Sequence, residues 1–186
     1  MQSKTDAGRI ITDSNIGLDK ALSGISIPAS IKKRLAIIDV LYYSFDGKIH
    51  KGQLVADKEL SDEIKEIFES VKESRFPVGK IIPISEYNWS DSLSMMDNNT
   101  SCFNYRVVKG TKILSLHAKG RAIDLNPALN PAIKGGKITP PGSSYNTSRP
   151  GTVINNSPLL KIFEKKGWIW GGKWRSLKDY QHFEKK

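Results

Sequence analysis

The chain has 186 residues, 38% of them hydrophobic, and a formal net charge of +10 from 29 basic and 19 acidic side chains. One domain of this length buries a core without covalent staples, and the single cysteine, Cys102, excludes an internal disulfide. No apolar run reaches the ~18–20 residues that span a bilayer, and the surplus cations are scattered, with no nucleic-acid motif beside them.

Residues 1 to about 14 are polar and read as a flexible arm. A short helix is expected over Ile16–Leu22, stopped near Gly24 and Pro28. Leu35 to Tyr43 is rich in β-branched and aromatic residues and reads as a buried strand. Asp46-Gly47 turns it into a returning strand from Ile49 to Ala56. Ser61 is a candidate cap for a helix whose apolar side chains, Ile64, Ile67, Phe68 and Val71, recur at helical spacing. Lys80 to Ile84 is expected as a short strand, and the polar stretch Ser90 to Ser101 as a loop.

Phe103 to Val108 and Ile113 to Leu116 read as strand fragments around a turn, and Ala122 to Leu125 as a further strand. Pro127 to Gly151 holds five prolines and four glycines and is expected as a long ordered loop bordering a cleft. Ser157 followed by Pro158, an apolar face and Gly167 spells a helix with both ends marked. Trp168 to Trp170 reads as a strand, Gly171-Gly172 as a turn, and the tryptophans Trp168, Trp170 and Trp174 as core packing. Hairpins mixed with two clear helices predict an α+β fold with a mostly antiparallel sheet flanked by helices.

Chemistry concentrates in two segments. The first runs Ser115-Leu116-His117-Ala118-Lys119-Gly120-Arg121-Ala122-Ile123-Asp124, and the second Asp179-Tyr180-Gln181-His182. Between them they hold two of the three histidines in the chain. If the segments meet, His117, Asp124 and His182 supply two imidazoles and a carboxylate to one zinc ion and leave a coordination position open, as catalytic zinc sites do. Asp179, three residues before His182, can then act as a proton acceptor, and Arg106, permanently charged, can polarise a carbonyl. Each residue also has an ordinary reading taken singly: His117 as a satisfied histidine beside a loop, Asp124 as a turn residue, Asp179 and Arg106 as surface charges. His50 lies in the predicted hairpin with no carboxylate partner in view and reads as non-catalytic; Cys102 reads as a small buried residue.

The first segment resembles the S-x-H-x-x-G-x-A-x-D signature of zinc-dependent peptidoglycan peptidases. That group includes VanY-like D-alanyl-D-alanine carboxypeptidases, the vancomycin-resistance D,D-dipeptidases and phage L-alanyl-D-glutamate endolysins. Phe103-Asn104-Tyr105-Arg106 upstream and Gly171 through His182 downstream are similar to the family in the same order, so the likeness runs from about Asn98 to the C-terminus. The resemblance implies a hedgehog/D,D-peptidase fold and one Zn2+ held by His117, Asp124 and His182. It implies Asp179 as general base, in a place where some members have glutamate, Arg106 as the transition-state arginine, and Ser115 as a residue contacting substrate or orienting the site.

The implied organisation is an N-terminal extension over 1–30 and a zinc peptidase domain over 31–186. The implied substrate is the stem peptide of bacterial cell wall, in keeping with a basic surface, with D-alanyl-D-alanine carboxypeptidase as the leading activity and L-alanyl-D-glutamate endopeptidase as the alternative. A monomer is expected, with no nucleic-acid partner, working in the periplasm, cell envelope or outside the cell after loss of an export signal. Two rival readings are a wall-binding module that kept the fold without activity, and a basic nucleic-acid binder with a structural zinc. The base and the arginine speak against the first, and the open coordination position against the second.

Overall fold

A computed structural model describes residues 10–108 and 110–186. In chain order the elements are β1 (Ile11–Thr12), α1 (Leu18–Ala21), α2 (Ala29–Lys32), β2 (Leu35–Tyr43), β3 (Ile49–Asp57), α3 (Ser61–Glu73), β4 (Lys80–Ile81), α4 (Asp91–Met96) and β5 (Asn99–Thr100). They continue with β6 (Ala122–Asp124), β7 (Ala132–Lys134), β8 (Lys137–Thr139), α5 (Pro158–Lys165), β9 (Ile169–Trp170), β10 (Lys178–Asp179) and β11 (His182–Glu184).

The class is mixed α and β, but no single sheet organises it. Among the described residues the strands form four small sheets, ordered β1-β3-β2, β10-β7-β8, β6-β11-β9 and β4-β5, and the β1–β3 and β4–β5 pairings are parallel. This departs from the one mostly antiparallel sheet expected from the hairpin signals. Outside the β2–β3 hairpin the strands are only two or three residues long, too short to extend one sheet across the molecule.

The β2–β3 hairpin and α3 build the principal core. Ile38, Val40 and Tyr42 alternate along one face of β2 and meet the α3 residues Ile64, Ile67, Phe68 and Val71, each of which is fully buried. Phe163 of α5 stacks on Phe183 of β11 at 4.0 Å, which joins this core to the C-terminal strands. β3 is buried from Gly52 to Asp57, because a second cluster of Ala21, Leu22, Leu35, Val55 and Phe103 covers its other side.

Several expectations need correction. The arm expected to residue 14 is packed from Ile11 onward: Ile11–Thr12 pair with β3, and the Ser14 hydroxyl donates to Gln53 at 2.7 Å. The arm over 1–9 lies outside the described residues. Likewise, Ala21 and Leu22, within the expected extension 1–30, are core residues. His50 does have carboxylate partners, with Nδ1 3.0 Å from Asp13 and Nε2 3.2 Å from Asp46, tying β1 to the hairpin turn. Ser61 is not the cap of α3. A 3-10 turn over Lys58–Leu60 precedes the helix, and Asp57 accepts from the Glu59 amide instead. The expected strand Lys80 to Ile84 ends at Ile81, and Ile84–Tyr87 form a 3-10 turn.

Ser90 to Ser101 is not a loop throughout. Ser90 caps α4 by accepting from the Leu93 amide, and β5 follows. The fragments Phe103–Val108 and Ile113–Leu116 meet in one isolated bridge, Val107 to Leu114, rather than as strands. The long segment Pro127–Gly151 contains the β7–β8 hairpin, with Gly135 and Gly136 both at positive φ in its two-residue turn. No helix among the described residues is long and apolar enough to cross a membrane.

Candidate metal centre

The two chemistry-bearing segments meet as neighbouring strands. β6 and β11 pair antiparallel with His182 directly opposite Asp124. Residues directly opposite in such a pair point to the same face with Cβ atoms about 5 Å apart, so pairing alone brings the second imidazole to the carboxylate. His117 arrives from the other direction. It opens a 3-10 turn, His117–Lys119, that ends on Gly120 in the left-handed region and runs into β6.

The signature glycine is required twice over. Its φ is +67°, and a Cβ there would lie 2.4 Å from the amide nitrogen of Asp57. That amide donates to the Gly120 carbonyl at 2.9 Å, which locks the turn against the end of β3.

The three ligand atoms form a tight triangle. His182 Nδ1 is 3.0 Å from Asp124 Oδ1, His117 Nε2 is 3.2 Å from the same oxygen, and the two ring nitrogens are 3.2 Å apart. A tetrahedral ion with bonds of ~2.0–2.1 Å separates its ligands by about 3.3–3.4 Å, so the residues fit one zinc ion with only slight opening. Convergence of two imidazole nitrogens on one carboxylate oxygen in a buried place is also what a cation would relieve. His117, Asp124 and His182 are all buried and together are the group of metal-binding side chains found among the described residues.

Both rings are oriented from behind. His117 Nδ1 lies 2.6 Å from the Cys102 carbonyl, an acceptor only, so that nitrogen carries a proton and Nε2 is the one turned to the cluster. His182 Nε2 lies 3.3 Å from Glu184, leaving Nδ1 for the cluster. Glu184 escaped the sequence reading, although its place two residues beyond His182 on a strand puts it on the same face. The Cys102 thiol is buried and its pKa is pushed up by that burial, so this residue serves through its carbonyl.

Electrostatics follow the geometry. Burial opposes ionisation of Asp124, but the neighbouring His117 and His182 outweigh it and hold the carboxyl well below its usual range. Burial likewise opposes charge on His182, yet its hydrogen bonds to Asp124 and Glu184 raise it to about 10. Asp179 moves the other way: burial first, then the Asp124 charge, push it up to about 6. Its Oδ1 is buried with no hydrogen-bond partner. Gly171 keeps this corner open, since a Cβ on it would lie 3.0 Å from the Asp179 Cβ and 3.3 Å from that of His182. Trp174 lies against the His182 ring at 5.3 Å and so forms a wall of the site, while Trp168 and Trp170 are buried in the core.

Ser115 is buried, and its hydroxyl accepts from the His117 amide at 3.2 Å. That contact orients the turn. Arg106 is joined to the segment by its carbonyl, which accepts from the Ser115 amide at 3.1 Å. Its guanidinium is half-buried beside Asp91, with Nε 2.5 Å from Oδ2 in an ion pair without a well-aligned hydrogen bond. Asp91 also accepts from Asn104 at 2.6 Å.

Behind the centre, fully buried Asp57 accepts from Arg34 at 2.8 Å and Arg121 at 3.1 Å. Arg121 in turn donates to the Lys185 carbonyl and to a main-chain oxygen of Lys186. One guanidinium therefore links the His117 turn, the end of β3 and the strand that carries His182.

A mixed α+β chain with a buried His-Asp-His triangle and a carboxylate of raised pKa beside it has the makings of a hydrolase centre. Residues 109–185 match a family model described as D-alanyl-D-alanine carboxypeptidase. The VanY-like peptidase family is thereby supported over the stretch that holds His117, Asp124, Asp179 and His182; Arg106 lies just outside it. No curated protein and no solved structure gives a significant match to the chain.

Proposed function

We propose that this chain is a zinc-dependent peptidase that hydrolyses the stem peptides of bacterial peptidoglycan, as a D-alanyl-D-alanine carboxypeptidase of the hedgehog/D,D-peptidase type. The observation that carries this reading is the convergence of His117, Asp124 and His182 at 3.0–3.2 Å with Asp179 adjoining His182, inside the family-matched stretch.

In this reading the three residues hold one zinc ion, which supplies Lewis acidity and draws the pKa of water toward ~7. Asp179 takes the proton of the attacking water and passes it to the departing amine. A carboxyl with a pKa near 6 suits both halves of that task better than an ordinary aspartate. Arg106, steadied by Asp91, faces the negative charge that develops on the carbonyl oxygen. Ser115 acts on His117 rather than on substrate. Glu184 and the Cys102 carbonyl fix the two rings. All these residues come from one chain, so a monomer suffices, and the substrate places the protein at the cell envelope or outside the cell.

Incubation of the zinc-loaded protein with purified muropeptides, read by mass spectrometry, tests the proposal. Loss of one terminal D-alanine is the expected product. Release of a dipeptide or of a whole stem would replace the carboxypeptidase assignment with another activity of the same centre. Unchanged muropeptides would contradict a peptidoglycan peptidase.

A further inference from the structure

The sheet that carries Asp179 extends beyond the metal centre. β10 pairs with β7 so that Asp179 lies opposite Ala132, and β7 pairs with β8 so that Ala132 lies opposite Thr139 and Lys134 opposite Lys137. Directly opposed residues share a face, and so do residues two apart on one strand. Asp179, Ala132, Thr139, Lys134 and Lys137 therefore stand on one face. Ile133, Ile138 and Lys178 stand on the other. The Asp179 face is the one toward the metal centre, because its Cβ and that of His182 both border Gly171.

Two lysines directly opposed on a strand pair repel one another. Lys134 and Lys137 are exposed, and among the described residues neither has an ion-pair or hydrogen-bond partner. Other surface cations, such as Lys173 beside Glu164 and Lys51 beside Asp39, have an acidic neighbour, whereas Lys134 and Lys137 face each other across the hairpin. The hairpin is also held in place. Its turn is two glycines at positive φ, and the chain beyond it is fixed where Tyr145 stacks on Tyr180 at 3.6 Å and 6°. The cationic tip thus sits at a set distance from the proposed base.

We propose that Lys134 and Lys137 form an anion subsite that receives a carboxylate of the stem peptide away from the scissile bond. The inference rests on the peptidase reading above. Lys134 lies two residues along β7 from the partner of Asp179, about 7 Å. An extended peptide advances about 3.3 Å per residue, so the carboxylate belongs to a residue about two positions before the one whose carbonyl is attacked. The lysines bind and place substrate; they take no part in proton transfer.

The test uses the full-length, zinc-loaded protein and two synthetic pentapeptides, acetyl-L-alanyl-D-isoglutamyl-L-lysyl-D-alanyl-D-alanine with the isoglutamyl carboxylate free or amidated. Wild type should show the lower KM on the free acid, by about two- to thirtyfold, the range of two solvent-exposed ion pairs, with similar kcat. The double variant Lys134→Gln, Lys137→Gln should lose that preference through KM alone and keep its rate on the amidated peptide. The preference of the wild type should also shrink as salt is raised. Equal KM for the two peptides in wild type, or an unchanged preference in the double variant, would overturn the subsite while leaving the peptidase intact. Cleavage of neither peptide by wild type would overturn the peptidase reading and the subsite with it.

Discussion

Replacing His117 by alanine is expected to remove both bound zinc and hydrolysis. His117 is the one proposed ligand that does not come from the β6–β11 pair, and its Nε2 closes the triangle with Asp124 and His182. Without it, two protein ligands remain, fewer than the three that catalytic zinc sites use. The ring is also preset, with Nδ1 committed to the Cys102 carbonyl, so no other side chain of the turn can take its place. Elemental analysis after gel filtration should find about one zinc per wild-type chain and far less in the variant, with cleavage of muropeptide undetectable. Stoichiometric zinc in His117→Ala would remove this residue from the ligand set.

Asp179→Ala separates the metal from the chemistry. The variant should keep its zinc, because Asp179 is not a corner of the triangle, while kcat falls by ~10²–10⁴, the usual worth of a general base. Its pH profile carries the same information. The base must be ionised to accept a proton, and burial with the Asp124 charge raises Asp179 to about 6. Activity should therefore be present above that pH and disappear as pH falls through it; a bound dication favours the carboxylate and moves the limb lower. The acid limb should vanish from the residual rate of the variant. The fold should not suffer, since a carboxyl whose folded pKa is raised weakens the folded state once ionised. A thermal midpoint at pH 7 equal to or above that of wild type, together with lost activity, is the expected pattern. Wild-type turnover by Asp179→Ala would exclude it as the base.

The parts of this molecule that could be read in advance are those whose signal is local. Leu35–Tyr43 forms β2 with the expected bounds, because five β-branched or aromatic residues in nine, Ile37, Ile38, Val40, Tyr42 and Tyr43, and a following Asp-Gly leave little choice. α5 starts and stops where Ser157 and Gly167 mark it. The positions of His117, Asp124 and His182 were legible through their signature, and β pairing explains why the spacing works. What escaped depends on partners far along the chain. α4 is six residues with two serines, weak as a helix by itself, and its buried Ser94 is bonded to Asn99. The β7–β8 hairpin did announce itself through Gly135-Gly136, but the surrounding prolines masked it, and its pairing with β10 could not be seen from local sequence. Asp91 beside Arg106 and Asp57 beside Arg121 are contacts that only the tertiary fold creates.

X-ray absorption spectroscopy of the protein loaded with one equivalent of zinc bears most directly on the centre. A single zinc coordinated by two imidazole nitrogens and carboxylate oxygen at ~2.0–2.2 Å, with no sulfur and a remaining light-atom ligand from solvent, is the expected shell. A shell without imidazole, or a protein that hydrolyses its substrate while binding no transition metal, would contradict it.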